Sequence, residues 1–226
     1  MALSEEARAR LVPQAAEIIG RYPKARSALL PLLHLVQSQE GYVSQHGIEF
    51  CAEQLGLTEA DVTGVASFYT MFKRKPVGDY HVGVCTNSLC AVMGGDAIFA
   101  DLQEHLGIGN DETTADGKVS LEHVECNAAC DYAPVVMVNW EFFDNMTPSK
   151  ARELVDDLRS GTPVSPTRGA PRLVTWKQTG QILAGFPDEQ GAEGNTAGDP
   201  TLAGLRSAKQ HGWMPAGGPG AAEGTQ

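Results

Sequence analysis

The sequence predicts an α+β protein, in which a helical bundle is followed by a small α/β layer and an extended C-terminal segment. Apolar residues recur at helical spacing through the first 70 residues, and from Tyr80 onward short alternating apolar runs are interleaved with helical stretches. After residue 160 no sustained periodicity is left. The sequence therefore divides into residues 1–78, 79–160 and 161–226.

The N-terminal part is predicted to hold four helices, each marked by a stripe of apolar residues and by residues that favour helix ends. These helices are expected at 4–22, 25–40, 47–55 and 58–67. Pro13 argues for a late start or a kink in the first helix. Thr58, with Asp61 three residues on, can cap the fourth. Four helices joined by short loops predict a small bundle.

The second part alternates strands with helices. Short apolar runs predict strands at 80–84, 119–125 and 135–138, and a further segment that can pair with the last of them at 140–143. Helical spacing predicts helices at 94–106 and 148–159, the second of them capped by Thr147 with Pro148 at its first position. This order predicts helices packed against a short sheet.

The C-terminal segment, residues 161–226, contains over half of the 25 glycines and over half of the 13 prolines. This composition predicts an extended or disordered segment rather than a third core. A denser apolar patch at 172–186 has two interpretations. It lies along the surface of a partner, or it folds back on its own domain, and the sequence leaves both open.

Composition excludes several classes of protein. The formal net charge of -11 leaves no broad positive surface for nucleic acid. The chain shows neither a signal-peptide core at its start nor a run of about 20 apolar residues that could span a bilayer. We therefore expect a cytoplasmic protein, and in that compartment the five cysteines favour metal binding or a reactive thiol over disulfides.

Four of the cysteines form two close pairs. Four residues separate Cys85 from Cys90, three separate Cys126 from Cys130, and each pair directly follows a predicted strand. Because loops after neighbouring strands open at the same edge of a sheet, the two pairs can meet. Each iron of a 2Fe-2S cluster is bound by two cysteine thiolates. Each cysteine pair can therefore supply the two thiolate ligands of one iron. The fifth cysteine, Cys51, lies on the apolar face of the third helix and is interpreted as a core residue.

A cluster bound by four cysteinates is an anion inside the protein and requires hydrogen-bond donors. Backbone N–H groups of residues 91–95 and of Asn127, Ala128 and Ala129 are candidates. Structural zinc is an alternative for four cysteines, although zinc ligands usually come in pairs with two residues between them. Disulfides are disfavoured in a cytoplasmic chain, and a thioredoxin-type dithiol requires two intervening residues, which neither pair has. The histidines show no ligand spacing, and His123 is either coupled to the cluster or simply exposed.

Several segments together resemble one known family, the ferredoxin-like subunit of NADH:quinone oxidoreductase, respiratory complex I, that is called the 24-kilodalton subunit in mitochondria. The resemblance covers roughly residues 7–159 and includes both cysteine pairs. Its other marks are the segments 27–34 (SALLPLLH), 40–42 (EGY), 65–72 (VASFYTMF) and 133–139 (APVVMVN).

The resemblance implies a helical N-terminal region and a thioredoxin-like domain that binds one 2Fe-2S cluster through Cys85, Cys90, Cys126 and Cys130. In that family the subunit docks on the flavin subunit, which binds NADH and FMN, and it lies close to the large iron–sulfur subunit. In agreement, no G-x-G-x-x-G follows a predicted strand here. NADH and FMN are thus expected on the partner, and the chain alone is expected to catalyse no substrate chemistry.

The family context implies attachment to the cytoplasmic side of the inner membrane only through the complex. Two alternatives stay open. The same type of subunit occurs in NAD-linked hydrogenases and formate dehydrogenases, which resemble complex I in their NADH-oxidising part. The other alternative is an interaction protein without redox activity, in which the four cysteines hold zinc and residues 161–226 recruit partners.

Overall fold

The structure, a computed structural model, describes residues 5–186 and 197–213. Its N-terminal part contains the four predicted α-helices, and a short 3-10 turn, Ala25–Ala28, precedes the second of them. The helices are α1 Glu5–Gly20, α2 Leu29–Glu40, α3 Gln45–Leu55 and α4 Glu59–Phe68. Their apolar faces meet in one shared core, so the predicted bundle is confirmed.

Local signals explain most of the helix boundaries. Helix α2 begins later than predicted because the 3-10 turn comes first, and Pro31 therefore falls in its first turn, where a missing N–H is tolerated. Thr58 and Asp61 form the predicted capping box of α4. Helix α1 continues through Pro13 from its start at Glu5, so the late start considered above is wrong.

The second part is built on a five-stranded sheet with the order β2-β3-β1-β4-β5. The strands are β1 Tyr80–Cys85, β2 Glu112–Thr113, β3 Val119–Val124, β4 Val136–Val138 and β5 Glu141–Phe143. Strands β1 and β3 are parallel neighbours, and the other three pairings are antiparallel. A two-residue strand such as β2 carries no periodicity, which explains why the sequence did not predict it.

Three helices belong to this second part, α5 Ser88–Val92, α6 Gly95–Leu106 and α7 Pro148–Ser160. The apolar side chains of α6 and α7 cover one face of the sheet and form a second core with β1, β3 and β4. The predicted cap of α7 is confirmed, since Thr147 Oγ1 accepts a hydrogen bond from the Lys150 N–H at 3.3 Å. The opposite face of the sheet carries the cysteine loops.

Residues 161–186 lie against the rest of their own chain rather than standing free. They include a helix that the sequence did not predict, α8 Trp176–Leu183, which packs on α2. The Trp176 Nε1–H donates to the Gly41 carbonyl at 2.7 Å, and Ala184 enters the core of the helical bundle. Of the two interpretations of the patch at 172–186, the structure therefore supports the one in which it folds back.

A separate unit contains one further helix, α9 Asp199–Gln210, which was also not predicted. The remaining stretches of the predicted C-terminal segment, 187–196 and 214–226, lie outside the described residues. Among the helices of residues 5–186 and 197–213, none combines the length and the apolar character needed to cross a bilayer.

Candidate metal centre

The parallel pairing of β1 with β3 brings the two cysteine loops together, as the sequence predicted. Strand β1 ends at Cys85, which lies opposite Val124 at the end of β3, two residues before Cys126. The Asn87 Nδ2–H in the first loop donates to Glu125 Oε2 in the second loop at 3.0 Å. Both loops consequently open at the carboxyl ends of two adjacent parallel strands, where α/β folds commonly bind ligands.

The second pair has the spacing of two ligands on one metal. The Sγ atoms of Cys126 and Cys130 are 3.9 Å apart, and both residues are exposed. A tetrahedral metal with metal–sulfur bonds of about 2.3 Å holds two sulfurs about 3.8 Å apart. The hydrogen bond with the Cys126 thiol, followed by the charge of that thiol, raises the pKa of Cys130 above its usual value.

The first pair is buried. Cys85 and Cys90 are both almost inaccessible, and the Cys90 thiol lies within hydrogen-bonding reach of Cys85. Burial, followed by the thiols of Cys85 and Cys130, raises the pKa of Cys90 to about 11, although a backbone hydrogen bond from Val135 acts in the opposite direction. The two cysteine pairs therefore lie at the ends of neighbouring strands, one pair buried and the other exposed.

One of the expected backbone donors, that of Ala128, is present in the second loop. The Ala128 N–H points at Cys126 Sγ at 3.3 Å, with Ala128 in the left-handed region at a φ of 53°. In the first loop the N–H groups of Ala91, Met93 and Gly94 are used in backbone hydrogen bonds of α5, so those three assignments are wrong. The sequence did not mark α5 as a helix, because five residues are too few to show a period.

Gly95 allows the backbone to pack tightly beneath the first pair. A Cβ added there would lie under 3.0 Å from the carbonyl oxygens of both Cys85 and Cys90, a separation that real Cβ atoms do not adopt. Small residues at such positions permit close backbone approach. The first cysteine pair is therefore positioned against the start of α6.

We expect Gly95→Ala to lower metal content and to destabilise the protein by about 1–3 kcal/mol, because the added methyl group must push the two cysteine backbones apart. Gly64→Ala in α4 is the matched control, since an added Cβ meets nothing within 4 Å and a helix interior prefers alanine by up to about 1 kcal/mol. Metal analysis and thermal unfolding of both variants measure the difference. Equal behaviour of the two would contradict this packing argument.

The donor set fits a 2Fe-2S centre. It consists of two cysteine pairs, and the sulfurs of one pair have the spacing of two ligands on a single metal. Between Cys126 and Cys130, the buried Nδ2 of Asn127 is a hydrogen-bond donor that has no partner. An anionic sulfur centre supplies acceptors for such a donor. Within residues 5–186 and 197–213, no three Cys, His, Asp or Glu side chains gather in a way that would suit a single ion.

Of the other residues singled out in the sequence, Cys51 lies in a different core, whereas His123 lines the same cavity as Cys126 and Asn127. Cys51 is fully buried in the core of the helical bundle, which confirms its assignment, and burial raises the pKa of its thiol to about 12. His123 is exposed, and its ring meets the edge of Phe99 with 5.9 Å between the centroids.

The sequence did not reveal a buried polar cluster on the cysteine-bearing face of the sheet. Glu122 of β3 accepts hydrogen bonds from Lys73 and from Nε2 of His81, the second at 2.5 Å. Burial alone would raise the pKa of Glu122, but these two hydrogen bonds outweigh it and lower the pKa to about 2. Burial lowers the pKa of His81 below its ordinary value, although the hydrogen bond to Glu122 acts in the opposite direction. Because these residues are far apart in sequence, no local sequence pattern predicted the cluster.

We expect Lys73→Met to destabilise the protein by about 2 kcal/mol, because the mostly buried carboxylate of Glu122 loses its cation. Lys118→Met is the matched control. Lys118 pairs with Asp79 at the surface, where an ion pair contributes at most about 1 kcal/mol. Denaturant unfolding at pH 7 measures both variants, and a cost for Lys73→Met no greater than for Lys118→Met would contradict the role given to this cluster.

Comparison with known families agrees with the fold and with the donor set. The family model for the thioredoxin-like [2Fe-2S] ferredoxin matches residues 15–159. The chain therefore belongs to the thioredoxin-like [2Fe-2S] ferredoxin family, and the expected thioredoxin-like fold is confirmed.

Individual relatives give a more specific comparison than the family model. The E-type subunit of NADH-quinone oxidoreductase from Mycobacterium tuberculosis is 65% identical over 216 residues, which are 95% of this chain and 85% of the relative. The protein of the same description from Rickettsia bellii is 43% identical over 149 residues, 65% of this chain and 89% of the relative. A solved NAD+-reducing [NiFe]-hydrogenase is 20% identical with a TM-score of 0.54, covering 60% of this chain and 23% of that one. At that identity it shows similarity of fold alone.

Proposed function

We propose that this chain is an electron-carrying subunit of an NADH-quinone oxidoreductase and that Cys85, Cys90, Cys126 and Cys130 bind one 2Fe-2S cluster. The meeting of the two cysteine pairs at the ends of adjacent parallel strands supports the ligand assignment. The relative from Mycobacterium tuberculosis, which is similar over nearly the whole chain, supports the assignment to this type of complex.

The residues of the chain have separable tasks in this proposal. The buried first pair holds one iron within the protein, and the exposed second pair holds the other near the surface. The Ala128 N–H and the amide of Asn127 offset the negative charge of the sulfurs. When bound, the cluster supplies one-electron chemistry, taking up and returning single electrons. Two hydrogen-bonded strands fix both loops, so that little has to rearrange when the charge changes.

In this proposal NADH and FMN bind to a partner subunit, and a large iron–sulfur subunit lies close by. The exposure of Cys126 and Cys130 lets a partner approach the site. Leu89, Val92 and Met93, on or next to α5 and close to Cys90 in the sequence, expose large apolar side chains that suit a protein contact. We place the chain on the cytoplasmic side of the membrane, attached through these partners.

Co-purification tests the context. A tagged full-length chain, isolated under anaerobic conditions from its own cells, is expected to bring down a flavin subunit that binds NADH, a large iron–sulfur subunit and the membrane part of a quinone-reducing complex. Mass spectrometry identifies them. Recovery of hydrogenase or formate dehydrogenase catalytic subunits instead would contradict the assignment to a quinone-reducing complex while leaving the cluster assignment in place.

A further inference from the structure

The segment after α7 reaches the cysteine-bearing face of the sheet, although it follows the region that the family model matches. That model ends at residue 159, whereas Thr167 and Arg168 lie beside the edge strand β5. The Thr167 N–H donates to the Phe142 carbonyl at 2.9 Å, and Arg168 forms an antiparallel bridge with Phe142. The chain therefore adds a short stretch of backbone to the edge of the sheet next to the cysteine loops.

The side chain of Arg168 is held in one orientation. Its Nε–H donates to Asp144 Oδ2 at 2.8 Å and its Nη2–H to Oδ1 of the same carboxylate at 3.3 Å. Thr167 Oγ1 also donates to Asp144 Oδ2 at 2.8 Å. The side chains of Arg168 and Asp144 are only 13% and 6% exposed. A two-point pairing of this kind fixes the plane of the guanidinium as well as its position.

The guanidinium contacts two aromatic rings that border the candidate metal centre. It lies 3.9 Å from the centroid of Phe142 and 4.8 Å from that of Tyr132. Both rings pack against the apolar cluster that contains Cys85 and Cys90. Tyr132 is also only two residues after Cys130, in the 3-10 turn Cys130–Tyr132. Arg168 thus contacts Tyr132, at the end of the loop that carries Cys126 and Cys130. It also contacts Phe142, which packs against the cluster that contains Cys85 and Cys90.

The second loop packs mainly through Ala129, which is buried in the apolar cluster with Cys85 and Cys90. Cys126, Ala128 and Cys130 are all exposed, and few hydrogen bonds hold the loop. The Tyr132 N–H donates to the Ala129 carbonyl at 3.0 Å, and the Asn145 N–H donates to the Tyr132 carbonyl at 2.9 Å. Tyr132 is therefore one of the residues that attach the C-terminal end of this loop to the body of the domain.

We propose that Arg168 is a positioning residue for the metal centre: by clamping the rings of Tyr132 and Phe142 it fixes the loop at 126–130 in the geometry that holds iron. This inference rests on the proposed function, because it assigns a role toward the cluster. It makes residues 161–168 part of the working domain rather than a trailing segment. A cation–π contact of a desolvated guanidinium with two rings is strong enough to restrain such a loop.

The test compares full-length holoprotein variants purified without oxygen. Arg168→Gln removes the clamp, Arg168→Lys keeps the charge but loses the planar two-point pairing, and Tyr132→Leu removes a clamped ring while leaving the pair with Asp144. Arg152→Gln is the matched control, since Arg152 makes an exposed pair with Asp101 on the helices that cover the other face of the sheet. The readouts are the rate of loss of visible absorption under an iron chelator and the EPR line shape of the reduced protein.

We expect Arg168→Gln to bleach several-fold faster than Arg152→Gln and to give a broadened EPR signal, with Arg168→Lys in between. Tyr132→Leu should bleach faster as well. The double variant Arg168→Gln/Tyr132→Leu should bleach no faster than the faster of the two single variants, because both substitutions remove the same contact between Arg168 and Tyr132. Two results would overturn the inference. The first is a bleaching rate of the double variant that equals the product of the two single-variant effects. The second is a bleaching rate and an EPR signal of Arg168→Gln that equal those of Arg152→Gln.

Two further outcomes separate this inference from the proposed function. Where Arg168→Gln yields no folded protein, Tyr132→Leu decides the matter, since a bleaching rate equal to that of Arg152→Gln contradicts the clamp. A wild-type chain that contains no iron and sulfide defeats the proposed function and the inference together. A wild-type chain that contains both, with Arg168→Gln unaffected, defeats the inference alone.

Discussion

Replacing Cys85, Cys90, Cys126 or Cys130 singly by serine is expected to abolish the normal iron–sulfur spectrum of the purified protein. Each iron of a 2Fe-2S centre needs two thiolates, and in this chain each pair has no third cysteine in reach to replace a lost one, because Cys51 is fully buried in the separate core of the helical bundle. Visible absorption and iron content after anaerobic purification measure the loss.

Cys51→Ala is the matched control for the four serine variants. It removes a buried thiol in the helical bundle, so it should lower thermal stability while leaving iron and sulfide content unchanged. Retention of a normal spectrum by any of the four serine variants would remove that cysteine from the ligand set. Loss of the spectrum in Cys51→Ala, in a chain that is still folded, would show that the fifth cysteine had been misassigned.

Trp176→Ala is expected to destabilise the protein by about 3–5 kcal/mol. The indole is nearly inaccessible, and its centroid lies 5.2 Å from that of His81 and 5.7 Å from that of Trp140. Its Nε1–H also satisfies the carbonyl of Gly41, which the truncation leaves without this partner. Trp176 thus links the C-terminal end of α2 to the sheet, and its removal should loosen both. Denaturant unfolding followed by circular dichroism measures the change.

Trp213→Ala makes the same truncation at an exposed site and is the control. Its side chain is 70% exposed, so the cost should lie within about 0.5 kcal/mol. A small effect of Trp176→Ala, comparable with that of Trp213→Ala, would mean that residues 172–186 do not contribute to the folded core.

The sequence predicted the parts of the fold that local patterns encode. Four N-terminal helices, the strand before each cysteine pair and the cap at Thr147 all follow from periodicity and end signals, and the structure confirms them. The meeting of the cysteine pairs was predictable for the same reason, since two strands of one sheet that each end at a pair place both loops at one edge.

The remaining features depend on contacts between distant segments. Helix α8 contains Gly180, which weakens a helical pattern, yet an added Cβ there would crowd Ser38 at 3.0 Å, so glycine is what lets the two helices approach closely. A capping box at Thr175 and Gln178 was the one local signal that could have revealed it. The cluster of Lys73, His81 and Glu122 had no such signal. The boundaries at 78 and 160 stay predictions.

The iron and acid-labile sulfide content of the full-length chain, purified without oxygen and combined with EPR after dithionite reduction, tests the central claim most directly. We predict two irons and two sulfides per chain, a brown protein, and an axial or rhombic signal from one reduced 2Fe-2S centre. A colourless protein that contains one zinc and no sulfide would contradict the electron-carrier assignment and would support the zinc-stabilised alternative.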